Sequence, residues 1–140
     1  MRLVLDTNVM VAAMRSPQGA SARLLVACLN KQHEMLASVA LFAEYEAVMT
    51  RQEHLDAART SKAKIIAVLD DLAGIVRPVG RDFSWRPQLG DPDDEMVLEA
   101  AINGQADALV TFEIATFHEA AQRFGIEVMT PQALWHKVST

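Results

Sequence analysis

A chain of 140 residues, 51% of them hydrophobic and with a formal net charge of -5, has the length of one domain able to bury about two-thirds of its unfolded surface. No apolar stretch approaches the roughly 20 residues of a membrane span, and Asp6 falls too early for a secretion signal, so a soluble cytoplasmic protein is expected. The acidic balance argues against holding nucleic acid by bulk attraction, and the lone Cys28, beside Leu24, Leu25 and Leu29, reads as a small core hydrophobe that cannot form an intrachain disulfide.

Along the chain, Leu3-Val4-Leu5 predicts a short buried strand that runs straight into Asp6-Thr7-Asn8. A near-continuous apolar run suits a central parallel strand, because helices cover both of its faces. Ser16-Pro17-Gln18-Gly19 reads as a turn before a helix from about Ala20 to Asn30. Met35 to Ser38 predicts a second strand, and a helix from about Ala40 to Arg51 turns Leu41, Tyr45, Val48 and Met49 inward. Ile65, Ile66, Leu69 and Leu72 share one face of a helix over Ser61 to Leu72 that ends near Gly74. Ile75 to Val79 predicts a third strand, which Pro78 assigns to a sheet edge.

Gly80 to Gly90, with Trp85-Arg86-Pro87, has no period and reads as a surface loop. Asp91 or Asp93 caps a helix running to about Asn103, with Pro92 in its first turn and Gly104 closing it. Ala108 to Thr111 is a fourth strand, Ile114 to Phe124 a helix, Glu127 to Met129 a fifth strand, and Pro131 starts a last short helix. This alternation predicts an α/β fold in which a doubly wound, five-stranded parallel sheet carries helices on both faces. One domain over residues 1–140 is expected.

Ligands of such folds bind outside the carboxyl ends of the strands. Asp6 follows the first strand and Glu113 comes two residues beyond the expected end of the fourth, so adjacent strands would bring both to one rim. Glu44 borders the inward face of its helix, with Leu41 three residues before and Val48 four after. Asp94, in the first turn of its helix, shares a face with Val97 and Ala101. Each acid also has a purely structural reading: Asp91 and Asp93 as caps, Asp94 as a macrodipole partner, Glu44 as a surface acid. Carboxylates gathered together repel one another unless a cation neutralises them. Oxygen ligands favour Mg²⁺ or Mn²⁺; zinc is disfavoured, because His33, His54, His118 and His136 lack a ligand-like spacing.

Charge is unevenly spread. Residues 51–87 carry seven basic and five acidic side chains, whereas residues 88–140 carry two basic and nine acidic. A phosphate-bearing substrate fits that layout if metal ions cover the acids and the basic segment meets the backbone.

Taken in order, these segments resemble the PIN-domain ribonucleases, and among them the VapC-like toxins of bacterial toxin-antitoxin modules. Leu5-Asp6-Thr7-Asn8-Val9 is similar to the family's first motif, and Ser38 through Ala43-Glu44-Tyr45 with Val48 to its second. Asp91-Pro92-Asp93-Asp94, followed by Val97, Leu98 and Ala101, resembles the third, and Val110-Thr111 with Glu113 the fourth. Val128-Met129-Thr130-Pro131 is similar to the closing strand and turn. The fourth motif departs from the usual pattern: Glu113 stands where an Asp is usual, and Ala115 where a further acid follows.

The resemblance implies metal-dependent hydrolysis of RNA phosphodiesters, with Asp6 and Asp94 as core ligands of Mg²⁺ or Mn²⁺ and Glu44 and Glu113 completing the site. Asn8, Ser38, Asp91 and Thr111 are supporting candidates that orient ligands or phosphate. Arg15, Arg51, Arg59, Lys62 and Lys64 are candidates for the RNA backbone, and Trp85 and Phe112 for base stacking. A cognate antitoxin and a homodimer are implied partners. Two rivals remain open at this point. One is a phosphate-ester hydrolase with Asp6 as covalent nucleophile, which would want another Asp where Asn8 stands; the other is a catalytically degenerate PIN-like module that binds RNA or protein.

Overall fold

The computed structural model describes residues 1–80 and 88–139, so the Trp85-Arg86-Pro87 stretch and the middle of the expected loop lie outside the described residues. β1 (Arg2–Leu5) sits at the centre of the sheet. In chain order there follow α1 (Thr7–Arg15), α2 (Ala20–Leu29), β2 (Glu34–Ala37), α3 (Val39–Met49), α4 (Gln52–Ala58), α5 (Lys62–Ala73) and β3 (Arg77–Pro78). Then come α6 (Pro92–Asn103), β4 (Ala108–Val110), α7 (Ile114–Gln122), β5 (Glu127–Met129) and α8 (Pro131–Ser139).

The strands lie in the order β3-β2-β1-β4-β5, and every neighbouring pair is parallel. Leu3, Val4 and Leu5 are all 0% exposed, as are Ala108, Leu109 and Val110. Successive strand residues face opposite sides, so both faces of these two strands are covered, as the apolar runs require. The chain builds outward from β1 through β2 to β3, then returns along α6 to place β4 on the other side of β1. That reversal makes the carboxyl ends of β1 and β4 the topological switch point, where open α/β sheets place their ligands.

α6 has strong local reasons to begin where it does. Asp91 is its N-cap, with Oδ1 accepting from the Asp93 N–H at 2.8 Å; Pro92 opens the first turn, and Asp93, Asp94 and Glu95 complement the positive end of the helix dipole. At its other end Gly104 is needed for close approach. A Cβ there would stand 2.9 Å from both the Ala100 carbonyl oxygen and Val79 Cγ2, and 3.0 Å from Leu36 Cδ1.

Three details differ from the sequence expectation. The third strand is two residues long, because the amides of Ile75 and Val76 both donate to the Leu72 carbonyl and close α5 instead of entering the sheet. Pro78 does lie on the edge: Val79 N–H reaches back to the Ala37 carbonyl at 3.0 Å, so by alternation the missing donor of Pro78 faces away from β2. Two helices, α1 and α4, were not among the expected elements. α1 buries Val9, Met10 and Ala13, while α4 buries only Leu55, too little to stand out as a periodic face.

Candidate active site

Asp6 joins three elements at the switch point. Its N–H donates to the Val110 carbonyl at 2.9 Å, continuing the β1–β4 ladder by one residue. Its side chain caps α1, Oδ1 accepting from the Thr7 N–H at 2.7 Å, while Oδ2 accepts from the Thr111 hydroxyl at 2.7 Å. Asp6 is 7% exposed. Burial raises its pKa above the ordinary carboxylate value; the bonds from Thr111 and Thr7 oppose this, and the charge of Glu113 adds to it.

Thr111 is the hub. It is fully buried, its N–H donates to the Met129 carbonyl at 3.0 Å, and its Oγ1 accepts from the Glu113 N–H at 2.9 Å while donating to Asp6. One hydroxyl therefore fixes the Asp6 carboxylate and sets the start of α7, where Glu113 stands as N-cap residue without capping it.

Asp94 faces this pair from the first turn of α6. It is half-buried, and its carboxyl is pushed up to about 6, first by burial and then by the charges of Asp91, Glu113, Asp6 and Asp93. The structure thus brings Asp6, Asp94, Glu113 and Asp91 into one field. Among the described residues, the side chains of Asp94 and Glu113 accept no hydrogen bond. The next residue is treated differently: Glu95 is buried, and its Oε1 accepts from the Gln88 N–H at 2.6 Å and from the Leu89 N–H.

Other candidates stand on the helices around this field and beside Thr111. Glu44 is half-buried on α3 and is not among the charges that shift Asp6 or Asp94. Ser38 caps α3, its Oγ accepting from the Leu41 N–H at 3.1 Å. Asn8, in the first turn of α1, has a buried Oδ1 with no hydrogen-bond partner among the described residues. Arg15 is exposed at the far end of α1, about 13 Å along the helix from Asp6. Arg51, Arg59, Lys62 and Lys64 are exposed at the ends of α4 and the start of α5. Phe112, between Thr111 and Glu113, is 45% exposed. Cys28 is buried with its thiol pushed up to about 11, as a core residue should be.

Tyr45 has a role that its inward position alone does not reveal. The β1–β2 ladder stops at Leu3↔Met35, and the fully buried Tyr45 hydroxyl donates to the Leu5 carbonyl at 2.5 Å. It supplies the donor that the sheet no longer offers, and it ties the helix of Glu44 to the strand of Asp6. The available signal was chemical: a tyrosine on an otherwise apolar helix face needs a partner for its hydroxyl.

The donor chemistry fits a hard divalent ion. The carboxylates are oxygen-only ligands, mutually repelling and without a cationic neighbour in a salt bridge among the described residues. Asn8, two residues after Asp6, carries a buried neutral Oδ1 without a hydrogen-bond partner among the described residues. No group of three His, Cys, Asp or Glu side chains among the described residues is close enough to hold an ion as it stands.

The chain belongs to the PIN domain family, whose profile matches residues 2–115, a span that contains Asp6, Glu44, Asp94 and Glu113. No curated protein matches the sequence. Solved structures that share the fold include the following two. VapBC2 from Rickettsia felis, crystallised with a DNA fragment from its promoter, matches at TM-score 0.57 and 17% identity over 91% of this chain and 97% of that one. FitAcB from Neisseria gonorrhoeae matches at TM-score 0.54 and 16% identity over 93% and 98%.

Proposed function

We propose that this protein is a divalent-metal-dependent endoribonuclease formed by one PIN domain over residues 1–140, acting as the cytoplasmic toxin of a toxin-antitoxin pair. The observation that carries this reading is the convergence of Asp6, Asp94 and Glu113 at the switch point of a parallel sheet, where the charge of Glu113 adds to the proton affinity of both aspartates and that of Asp6 to the proton affinity of Asp94. Asp6 and Asp94 are the core ligands of Mg²⁺ or Mn²⁺, with Glu113 and Glu44 completing the site. Such an ion supplies neutralisation of the acids, activation of water and stabilisation of charge on the phosphoryl oxygens.

The chain's own groups position the reaction. Thr111 holds one oxygen of Asp6 and the Thr7 N–H holds the other, so the carboxylate cannot rotate away from the cleft. Tyr45 and the Val110 carbonyl fix the Leu5–Asp6 peptide group that leads into Asp6, one through its C=O and the other through its N–H. Asn8 presents its oxygen from the first turn of α1. Water adds to phosphorus as the P–O ester bond breaks, the proton lost by the water is balanced by one gained at the departing ester oxygen, and no side chain becomes covalently attached.

Antitoxin and second-copy partners follow from the same reading. The fold likeness to VapBC2 and FitAcB supports it. A second reading, a binding module without catalysis, is favoured by Glu113-Ile114-Ala115 at the fourth motif and by the lack of a preformed three-acid cluster among the described residues. Cleavage of a mixed RNA pool in Mn²⁺ separates them. Wild type cuts and Asp6→Asn or Asp94→Asn falls to background if the nuclease reading holds; an inactive wild type that still binds RNA or a partner protein establishes the second.

A further inference from the structure

Beside the acidic rim lies a cleft of about 240 Å³ with no charged residue in its lining. Ala12, Phe112 and Pro131 form apolar walls, and Ser21 and Gln132 contribute polar groups. Gly19, also in the lining, is the N-cap of α2 and has no side chain with which to cap it. The first-turn amides of that ten-residue helix therefore receive no side-chain acceptor. Ser21, in the same turn, is 5% exposed, and its hydroxyl makes no hydrogen bond among the described residues.

We propose that this cleft is a nucleotide subsite, in which one nucleotide of a single-stranded RNA stacks its base on Phe112 and sets its phosphate at the amino terminus of α2. The inference rests on the reading of the protein as one that acts on RNA, and it adds where the substrate lies. Three features select this ligand. A helix amino terminus with free amides and a neighbouring hydroxyl donor favours an anion, and the absence of carboxylates makes this cleft, unlike the rim beside it, tolerant of phosphate. A phenylalanine 45% exposed offers a flat apolar face to any base. The Gln132 amide carries both donor and acceptor for a base edge.

Continuity with the rim gives the subsite its purpose. Phe112 stands between Thr111, which holds Asp6, and Glu113, so a base on its ring is one residue from the carboxylates. Arg15, too far along α1 to serve the acids, ends that helix next to Ser16 in the cleft lining, where its charge serves the RNA backbone.

The test reads binding apart from cleavage: a short fluorescein-labelled single-stranded RNA titrated in EDTA at low ionic strength, followed by anisotropy. Phe112→Ala is expected to weaken binding about 5- to 100-fold, Phe112→Tyr to restore it to within about 2-fold, and Ser21→Ala to weaken it by about 2- to 10-fold. An RNA lacking the base at one position should erase the difference between wild type and Phe112→Ala. Equal affinity of wild type and Phe112→Ala, or no measurable affinity of wild type, overturns the subsite. Unchanged RNA affinity combined with loss of self-association by sedimentation assigns the cleft to a second copy of the chain. A wild type that fails to cut RNA in Mn²⁺ yet binds it through Phe112 overturns the nuclease reading alone.

Discussion

The two edges of the sheet handle negative charge in opposite ways. Because every strand is parallel, all strand starts share one edge and all strand ends the other. At the starts each acid has a donor: Glu34 meets Arg77 at 3.2 Å, Glu127 meets Lys137 at 3.3 Å, and Asp107 accepts the Arg2 N–H at 2.7 Å. At the ends Asp6 is held by neutral donors only, and Asp94 and Glu113 by none among the described residues. Paired acids on a wet edge contribute little either way; crowded acids with burial raise their own proton affinity, a cost to the metal-free fold that a bound cation would remove. The contrast is the reason the carboxyl edge is the one we propose for a ligand.

Breaking the Thr111 hub should have the largest effect on that contrast. Thr111→Val keeps the shape but removes both hydrogen bonds of the hydroxyl, and loss of an outer-shell partner of this kind should weaken Mn²⁺ binding about 10- to 100-fold by calorimetry. Unchanged affinity would show that Asp6 is positioned without it.

Tyr45→Phe should act on stability. It leaves the Leu5 carbonyl without the phenol donor, a loss of about 1–3 kcal/mol in urea unfolding. A variant as stable as wild type would mean that water or a shifted strand replaces the bond.

Acidity tests the crowding directly. Folded Asp94 titrates at about 6 against an ordinary 3.8, and Asp6 is raised as well. The folded metal-free protein therefore holds more protons than the unfolded chain across this window, so its stability should fall as pH rises from about 4 to 6. Asp94→Asn should flatten that slope in thermal melts at several pH values; an equal slope in the variant would place the effect elsewhere. In the same window Mn²⁺ should bind more weakly as pH drops, because protons compete for the same oxygens.

The smallest effect belongs to the opposite edge. Arg77→Ala removes an exposed pair and should change stability by less than about 1 kcal/mol without altering RNA cleavage. A large loss of activity would mean the two edges are not independent.

Much of this architecture can be read from local pattern. Three apolar residues ahead of Asp6, the Asp91-Pro92 start of α6 and the turn at Ser16 to Gly19 each predict an element that the fold contains, because burial on both faces and N-capping act within a few residues. α1 escaped because its buried face is short and follows directly on a strand. α4 escaped because a single leucine carries its burial. Apolar Ile75 and Val76 look like strand residues and predict a longer third strand than the two residues observed, because their amides finish α5.

At the site, residue type and position in the chain marked Asp6, Glu44, Asp94 and Glu113 as acids that belong together, and helical spacing with Val97 and Ala101 set Asp94 apart from its neighbours; the charges acting on Asp6 and Asp94 do not include Glu44. The turn of α6 gives Asp94 to the shared field and Glu95 to the backbone of Gln88 and Leu89.

The sequence by itself determined the alternation of strands and helices, the parallel sheet that follows from it, and the chemical kind of the site, since these depend on periodicity, capping and side-chain type. Only the tertiary structure decided which acids meet, that Thr111 and Tyr45 hold the strand end from which Asp6 projects, and that a neutral cleft with Phe112 opens beside them. The reason is geometric: those contacts join residues 40 and 105 positions apart, and strand order, helix rotation and the point where a ladder breaks are set by packing of the whole core.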